Sequence, residues 1–306
     1  MVGRFVSKSR WYSLPLLATL SWAGGALEGA AQAPQGTIEV AKAGLMTPES
    51  MLHDDRADVY LVSNINGAPS VKDNNGFITR VSPDGKVAAL KWIEGGQKGV
   101  TLHAPKGLAL HGDTLFVSDI DCVRRFNRTS GAASGEVCIQ GATFLNDLGV
   151  APDGTLYVSD TGIRIDASGM TPTKTDALYR IGKDQKAVAI VKGPELMNPN
   201  GLVAMNGGAI LVPFGSAEVW HIDSAGAKHP MGRMPAGQLD GVLRLEDGTI
   251  LASSWEGQAV YRMQAGRTSV VVENVPSPAD IGYDAKRKRL LIPVFTEDRL
   301  IVMELR

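Results

Sequence analysis

Pro199-Asn200-Gly201-Leu202 stands shortly before the β-rich run Ile210-Leu211-Val212, and a phrase of the same kind stands before five other such runs. The six phrases are Pro48-Glu49-Ser50-Met51, Pro105-Lys106-Gly107-Leu108, Leu145-Asn146-Asp147-Leu148, Pro199-Asn200-Gly201-Leu202, Leu239-Asp240-Gly241-Val242 and Pro278-Ala279-Asp280-Ile281. Their second positions are 57, 40, 54, 40 and 39 residues apart. Such internal self-similarity is typical of proteins built from one repeated supersecondary unit.

The chain around these phrases is rich in strand signals and has almost no helical patterning. Turn signals such as Pro83-Asp84-Gly85, Pro152-Asp153-Gly154 and Glu246-Asp247-Gly248 separate short apolar runs. Six units over residues 34–306 correspond to about 45 residues each, which is the period of a four-stranded propeller blade. The sequence therefore predicts an all-β protein, a six-bladed β-propeller with four-stranded blades.

The two ends of the chain bear on how the ring of blades closes. The last blade ends with its third strand, Leu300 to Leu305, and so lacks an outer strand. Thr37 to Ala41, ahead of the first phrase, alternate in polarity like a strand. We expect this N-terminal strand to complete the last blade, because an open ring would expose two edges. An ordinary edge strand is the alternative.

The first 33 residues have the pattern of a secretory signal peptide. Arg4, Lys8 and Arg10 precede an apolar stretch from Leu14 to Ala23, and Ala31-Gln32-Ala33 has the form of a signal-peptidase site. A retained membrane anchor is the alternative, but the stretch falls short of the ~20 residues needed to span a bilayer. We expect residues 1–33 to be removed, residues 34–306 to form the propeller domain, and the mature protein to be periplasmic or secreted.

The charge of the chain is nearly balanced, with 31 basic and 32 acidic residues. Loss of the signal peptide removes three basic residues and one acidic residue, which changes the net charge from −1 to −3. The sequence contains no block of Lys or Arg. These properties argue against nucleic acid or an anionic membrane as the partner. We expect a small-molecule partner, and no later segment is apolar enough to span a membrane; the oligomeric state stays open.

The two cysteines, Cys122 and Cys138, flank the turn-like stretch Thr129-Ser130-Gly131. If the segments on either side pair as a hairpin around this turn, the two cysteines lie opposite each other. An exported protein meets an oxidising compartment, so we expect one structural disulfide. Two unpaired buried thiols are the alternative.

The repeat places chemistry-bearing side chains around one axis. The first strand of a propeller blade lies nearest the axis, so the second positions of the phrases meet at one end of one channel: Glu49, Lys106, Asn146, Asn200, Asp240 and Ala279. Four of them offer side-chain oxygen, which calcium prefers, and none is a His or Cys, the residues whose nitrogen and sulfur zinc prefers. We therefore predict a divalent cation, most simply calcium, on Glu49, Asn146, Asn200 and Asp240. Each phrase alone could instead be a turn.

A second ring is expected where the second strand of each blade returns to the same face. Its predicted members are Asn64, Asp119, Asp160, Phe214, Trp255 and Val294. We expect Asn64, Asp119, Asp160 and Trp255 to contact a substrate together with Lys106, which could attract an anionic group. Strand-end capping is an open alternative for Asp119 and Asp160.

The ordered set Glu49, Asn146, Asn200 and Asp240 at the starts of inner strands resembles the gluconolactonase and senescence-marker-protein (regucalcin) family, and more distantly diisopropylfluorophosphatase. The resemblance covers essentially the whole mature chain. It implies that these four residues bind a catalytic divalent metal, usually calcium. It also implies hydrolysis of sugar lactones or related esters, with Asp240 as the base or nucleophile.

Three functions follow from these features as hypotheses. The first is metal-assisted lactone hydrolysis, in which the cation polarises the carbonyl and Asp240 activates water. The second is a non-catalytic periplasmic binding or scaffold propeller with a structural cation, since propellers host many functions. The third is a phosphotriesterase-like hydrolase. The natural substrate and the metal used in the cell stay open.

Overall fold

The computed structural model describes residues 36–306. The predicted signal peptide, residues 1–33, lies outside the described residues. The described part contains six four-stranded antiparallel sheets and one two-stranded hairpin. The prediction of a six-bladed β-propeller with four-stranded blades is therefore confirmed. Within residues 36–306, no helix is long and apolar enough to cross a membrane.

Strand bounds are given blade by blade in chain order. Strand β1 (Ile38–Val40) precedes blade 1, which contains β2 (Pro48–Asp54), β3 (Val59–Asn64), β4 (Phe77–Val81) and β5 (Val87–Glu94). Blade 2 contains β6 (Pro105–His111), β7 (Thr114–Asp119), β8 (Cys122–Asn127) and β9 (Ala133–Cys138). Blade 3 contains β10 (Leu145–Val150), β11 (Leu156–Asp160), β14 (Ala177–Ile181) and β15 (Ala187–Lys192). Its inserted hairpin consists of β12 (Ile163–Asp166) and β13 (Gly169–Pro172).

The remaining blades follow the same plan. Blade 4 contains β16 (Pro199–Met205), β17 (Gly208–Pro213), β18 (Glu218–Asp223) and β19 (Lys228–Arg233). Blade 5 contains β20 (Leu239–Arg244), β21 (Ile250–Ser254), β22 (Ala259–Gln264) and β23 (Arg267–Val272). Blade 6 contains β24 (Gly282–Asp284), β25 (Arg289–Val294) and β26 (Arg299–Glu304). Short 3-10 helices span Pro194–Leu196 and Phe295–Glu297.

The hydrophobic core lies between the blades. Six buried clusters each combine side chains from two neighbouring sheets, and together they join every adjacent pair around the ring, including blade 6 with blade 1. The outer strands β9 and β19 are almost entirely exposed. Apolar burial between twisted sheets therefore holds the blades together and leaves the axis free for other residues.

The ring closes through both ends of the chain, as predicted. Strand β1 pairs antiparallel with β26, with Ile38 opposite Val302 and Val40 opposite Leu300. Blade 6 differs from the others at its inner edge, because β24 starts only at Gly282, after the repeated phrase. Its phrase meets β25 through an isolated bridge between Pro278 and Val294, and it joins blade 1 through a parallel bridge between Ser50 and Asp280.

The predicted disulfide is also present. Cys122 and Cys138 are bonded, and they lie directly opposite each other on β8 and β9. The bridge ties the exposed outer strand of blade 2 to its neighbour.

Two insertions explain the long intervals in the repeat. Blade 1 has a long connection between β3 and β4 over residues 65–76, and blade 3 inserts the β12–β13 hairpin between β11 and β14. Both follow the second strand of a blade, so both leave the sheet on the face that carries the phrases. They touch there, because Ser70 N donates to Ile165 O at 3.1 Å and Ile165 N donates to Ser70 Oγ at 2.9 Å.

Candidate active site

A β-bulge at each phrase turns side chains towards the axis. In blade 1, Pro48 pairs with Asn64 and Met51 with Val62, so three residue steps on β2 face two on β3. The same irregularity occurs in the phrases of blades 2, 3, 4 and 5. A bulge adds one residue and re-aims the side chains around it. The phrases are thus bulges at the inner edge of the blades rather than turns.

Serines on the second strands hold these bulges in place. Ser63 Oγ accepts a hydrogen bond from Ser50 N at 2.9 Å. Ser159 Oγ accepts from Asp147 N at 3.1 Å and donates to Asn200 O in the next blade at 2.6 Å. Two further serines make the corresponding bond to the next phrase, Ser118 to Asn146 O and Ser253 to Ala279 O. Sequence reasoning missed these residues, although a serine near the end of four second strands was their signal.

Glycine follows the axial residue where neighbouring phrases approach most closely. A Cβ on Gly201 would lie 2.1 Å from Asp240 O, and one on Gly241 would lie 2.4 Å from Ile281 N. No side chain fits at such distances, so the backbones of adjacent blades meet at these positions. The glycines therefore serve close packing around the axis.

Five of the six axial residues line one cavity of about 260 Å³: Glu49, Lys106, Asn146, Asn200 and Asp240. The sixth, Ala279, is fully buried. Trp255 lines the same cavity. The structure thus brings together all four predicted metal ligands and two of the predicted substrate contacts. A more open groove of about 480 Å³ lies beside Phe214 and contains none of the axial residues.

Within the described part of the chain, the carboxylic acids at the cavity floor, Glu49 and Asp240, have no cationic partner and incomplete hydrogen bonding. Burial, followed by the charges of Asp240 and Asp280, raises the pKa of Glu49 well above its usual value. Burial, followed by the charge of Asp280, raises the pKa of Asp240 to about 8. Glu49 Oε2 and Asp240 Oδ1 are buried without a hydrogen-bond partner. The indole of Trp255 is close enough to lower the Asp240 pKa, yet its Nε1 also lacks a partner of good geometry.

The two amides complete an oxygen-rich floor. Asn146 Nδ2 donates to Thr161 Oγ1 at 3.0 Å, and Thr161 in turn donates to Pro199 O at 2.8 Å. This commits the amide nitrogen to the wall and leaves Asn146 Oδ1 for the cavity. Asn200 lowers the pKa of Asp240 by a side-chain hydrogen bond.

Lys106 is the buried cation of the site, but it does not neutralise the acids directly. Its Nζ donates to Ala104 O at 3.0 Å and to Pro69 O at 3.1 Å, and it lies 4.2 Å from the centre of the Phe144 ring. Burial lowers the Lys106 pKa to about 8, although Glu49 acts in the opposite direction. Within residues 36–306, no Asp or Glu oxygen lies within ion-pair distance of this ammonium group.

Two further acids, Asp147 and Asp280, lie one position after the axial residues, and sequence reasoning did not select them. Asp147 accepts hydrogen bonds from Leu148 N and Leu202 N, both at 2.6 Å, and Asp280 accepts one from Ser50 Oγ at 2.5 Å. Burial, followed by the charge of Asp280, raises the Asp147 pKa, and burial raises the Asp280 pKa to about 7. Four buried acids thus share one axis.

The predicted second ring is one residue out of register in four blades. The last residues of the second strands, Asn64, Asp119 and Asp160, are fully buried and bind backbone. Asn64 Oδ1 accepts from Met46 N, Asp119 accepts from His103 N and Ala104 N, and Asp160 accepts from Thr143 N and Phe144 N. This is the strand-end capping alternative, and it arises because side chains alternate across a strand.

In five of the six blades, the residue after the second strand lines the cavity instead. The six residues at this position are Ile65, Ile120, Thr161, Phe214, Trp255 and Phe295, and all except Ile120 line the cavity. Phe295 therefore takes the place predicted for Val294, which is fully buried. Trp255 lies 5.6 Å from Phe214 and 5.1 Å from Phe295, measured between ring centres. The signal was an aromatic residue at this register in three successive blades.

The donor set of the cavity can be compared with known metal chemistry. Among residues 36–306, no group of three or more His, Cys, Asp or Glu side chains is placed to hold a metal ion. The axial set contains two carboxylates and two amides, so it falls outside such groups. Two partnerless carboxylate oxygens beside two amide oxygens suit a hard cation such as calcium, and they do not suit zinc.

Comparisons with known proteins identify the fold. No family model and no curated protein matches the sequence. Among solved structures, a gluconolactonase candidate is 18% identical with a TM-score of 0.68, and the match covers 90% of this chain and 93% of that one. A gluconolactonase from Xanthomonas campestris is also 18% identical with a TM-score of 0.68, over 88% and 89% of the two chains. A virginiamycin B lyase from Staphylococcus aureus is 11% identical with a TM-score of 0.59, over 88% and 99%.

These likenesses establish the propeller fold alone. The neighbours include gluconolactonases, as the resemblance in the sequence predicted, and they also include a lyase. A shared fold does not fix a shared reaction, so the function has to be argued from the cavity.

Proposed function

We propose that this protein is a metal-dependent hydrolase of lactones or related esters. The observation that carries the proposal is the pair of buried, partnerless carboxylate oxygens, Glu49 Oε2 and Asp240 Oδ1, at the floor of an axial cavity. An unpaired buried carboxylate is costly, so a site that keeps two of them has a cationic ligand as its natural complement. The gluconolactonases among the structural neighbours support the same reaction class.

The proposed ligands of the cation are Glu49, Asn146, Asn200 and Asp240. Their donors are hard oxygens, and two carboxylates balance the charge of a divalent ion, so calcium fits best. When bound, the ion supplies positive charge that stabilises the oxyanion formed from a substrate carbonyl. Residues that face away from the ion hold the ligands in place, as Thr161 does for Asn146.

Asp240 is the proposed base. Its partnerless Oδ1 can take the proton of the attacking water as the water oxygen bonds to the carbonyl carbon. The ring C–O bond then breaks, and the same proton can pass to the departing alkoxide, which gives the hydroxy acid. The Lys106 ammonium lines the same cavity and favours the carboxylate product. The apolar walls around these residues exclude bulk water.

The proposal is tested by replacing the base. We expect Asp240→Asn to lower kcat/KM for lactones by at least about 100-fold, the size typical of a lost general base. The matched control is Asp113→Asn, which changes an exposed carboxylate. A chelator should also abolish the activity of the unchanged protein, and added calcium should restore it. Magnesium, manganese and zinc are added separately in the same assay for comparison.

Full activity of Asp240→Asn with and without chelator would exclude the mechanism. The two other hypotheses give different results in the same experiment. A scaffold propeller would lose folding rather than activity when the cation is removed, as seen by circular dichroism. A phosphotriesterase-like hydrolase would turn over an organophosphate and no lactone.

We also propose that the protein is exported. The Cys122–Cys138 disulfide supports this, because such bridges persist in oxidising compartments. We expect the mature protein to begin after Ala33, which N-terminal sequencing of the periplasmic or secreted fraction measures. A mature chain that starts at Met1 and stays with the cytosolic fraction would contradict the proposal.

A further inference from the structure

The walls above the oxygen floor have a different chemistry from the floor itself. Six apolar side chains surround the cavity there, and we call them the apolar collar: Ile65, Ile163, Ile165, Phe214, Trp255 and Phe295. Five blades contribute to it, since Ile65 comes from blade 1, the Ile163–Ile165 segment from blade 3, and the three aromatic residues from blades 4, 5 and 6. The apolar collar and Asp240 line the same cavity.

The apolar collar is a built feature of the fold. Its aromatic side occupies the same register in three successive blades, and the Trp255 ring contacts both of its neighbours. Its aliphatic side is fixed by the two hydrogen bonds between Ser70 and Ile165, which join the insertions of blades 1 and 3. Ile65 and Ile163 are buried. The wall is therefore held at a defined distance above the floor.

Most polar groups near the collar already have hydrogen-bond partners within the protein. Thr161 Oγ1, the hydroxyl at the collar's register in blade 3, is hydrogen-bonded to Asn146 and to Pro199 O. Lys106 Nζ donates to two backbone carbonyls. The donors left over are the third hydrogen of Lys106 Nζ and Trp255 Nε1, and both belong to the floor, where Trp255 Nε1 lies beside Asp240. In the described residues, the collar thus offers little to the several hydroxyl groups of a sugar ring, and burying hydroxyls without partners is unfavourable.

We propose that the substrate carries an alkyl or aryl substituent on its lactone or ester group and that the apolar collar takes up this substituent. The proposal rests on the proposed function. The reacting carbonyl lies at the oxygen floor, and the substituent points towards the mouth between the aromatic and aliphatic sides. A cavity of about 260 Å³ holds about nine groups of the size of a water molecule. This accommodates a lactone ring with a short side chain.

The experiment is a substrate series in the calcium-loaded protein. We expect kcat/KM to rise about fourfold per methylene from γ-butyrolactone to γ-hexalactone, the factor for burying one methylene group. The rise should level off in longer lactones once the side chain fills the cavity. Gluconolactone should be a poorer substrate than γ-hexalactone. A higher kcat/KM for gluconolactone, or no dependence on chain length, would overturn the inference.

A pair of variants locates the effect. Ile165→Ser places a hydroxyl in the collar and should reduce the gain per methylene to less than twofold. Val188→Ser makes the same kind of change at an exposed position of β15 and should leave the gain unchanged. An equal loss in both variants would contradict a role for the collar. Circular dichroism checks that Ile165→Ser folds. If this variant does not fold, the lactone series in the unchanged protein still tests the inference.

Binding of lactams separates this inference from the proposed function. If no lactone or ester is hydrolysed, the proposed function fails, but γ-alkyl lactams can still be titrated by calorimetry. An affinity that rises with alkyl length would then support the apolar collar as a binding site. The absence of any lactam binding would overturn the inference as well.

Discussion

Strand β2 carries a carboxylic acid at each end, and the two acids have opposite environments. Glu49 lies at the cavity, where burial and the charge of Asp240 raise its pKa well above the usual value. Asp54 lies at the far end of the same strand. Burial acts there in the same direction, but hydrogen bonds from Arg128 and from Ala57 N outweigh it and lower the Asp54 pKa.

The far end supplies partners for its buried charges. Arg128 Nε and Nη2 donate to Asp54 Oδ1 at 3.0 and 2.5 Å. Asp284, at the end of β24, accepts hydrogen bonds from the Tyr60 hydroxyl at 2.8 Å and from Arg287 at 2.9 Å. Asp54 Oδ2 has no partner, as is true of Glu49 Oε2, but its other oxygen accepts four hydrogen bonds.

Both acids of β2 are buried, so burial does not distinguish the two ends. The ends differ in whether cationic and hydrogen-bonding side chains contact the acid. At the far end, arginines and a tyrosine compensate the acids from within the chain. The Arg128–Asp54 contact joins blade 2 to blade 1, and the Tyr60–Asp284 contact joins blade 1 to blade 6. At the cavity, Lys106 binds backbone carbonyls and leaves the acids unpaired. The chain thus compensates the buried acids at one end of the strand and leaves those at the other end uncompensated. The uncompensated end lacks positive charge, which is typical of a place where a ligand binds.

The dependence of stability on pH gives the largest test of this comparison. The cavity acids have raised pKa values, about 8 for Asp240 and about 7 for Asp280. Between pH ~4, where such groups ionise in the unfolded chain, and these values, the calcium-free native protein holds more protons than the unfolded one. The free energy of unfolding should therefore fall with rising pH by about 1.4 kcal/mol per unit for each extra proton.

Urea denaturation between pH 4.5 and 8, with and without calcium, measures this slope. Calcium should flatten it, because the ion takes the place of the protons. The acids of the far end act in a lower window, since the pKa values of Asp54 and Asp284 are lowered. Their contribution is present above pH ~4 and is lost as the pH falls through the native values. A flat profile without calcium from pH 5 to 8 would show that the cavity acids are compensated.

The second test makes the same chemical change at both ends of β2. Asp54→Asn removes a charge that Arg128 needs, so we expect a loss of about 3 kcal/mol in the free energy of unfolding. Glu49→Gln replaces a buried acid that burial disfavours in its ionised form with a neutral side chain, so the calcium-free protein should gain at least about 1 kcal/mol at pH 7.5. The gain produced by calcium in the unchanged protein should largely vanish in Glu49→Gln.

Asp55→Asn is the control for the far end, because Asp55 also binds Arg128 but is exposed. Its cost should stay below about 1 kcal/mol. Thermal or urea denaturation of the three variants at one pH compares them directly. A loss of stability in calcium-free Glu49→Gln as large as that in Asp54→Asn would mean that the two ends of the strand are alike.

Most of the fold was predictable from the repeat. The six phrases predicted the number of blades, and their spacing predicted the size of each blade. The missing outer strand of blade 6 indicated that the N-terminal strand β1 completes it. The paired positions of Cys122 and Cys138 followed from the turn between them. These features depend on local patterns and on the closure of hydrogen-bonded edges, which the sequence carries directly.

The site was predictable only in part, because side-chain direction depends on exact register. Glu49, Asn146, Asn200 and Asp240 share one position of one motif, so the repeat placed them together. The prediction of the second ring was wrong by one residue in four blades, because the end of a strand cannot be located that closely before its pairing partners are known. The apolar collar depends on contacts between the insertions of blades 1 and 3, for which the repeat has no counterpart.

The smallest test compares two residues of β3, Ser63 near the cavity end of the strand and Tyr60 near the far end. Ser63 Oγ accepts from Ser50 N behind Glu49, and the Tyr60 hydroxyl donates to Asp284 at the far end. Ser63→Ala and Tyr60→Phe each remove one buried hydrogen bond, so each should cost about 1 kcal/mol in the free energy of unfolding. Only Ser63→Ala should also weaken calcium binding, by about 10-fold, because the loss of a residue that supports a metal ligand lowers metal affinity by about this factor.

Calorimetric titration with calcium measures the affinities, and urea denaturation measures the stabilities. Equal weakening of calcium binding in Ser63→Ala and Tyr60→Phe would show that the ends of β3 are coupled through the strand. Unequal weakening at equal cost in stability would show that the bulge at Glu49 is held locally. The second result is the one we expect, because Ser63 bonds directly to the bulged segment, whereas Tyr60 contacts a carboxylate that the arginine at the far end already compensates.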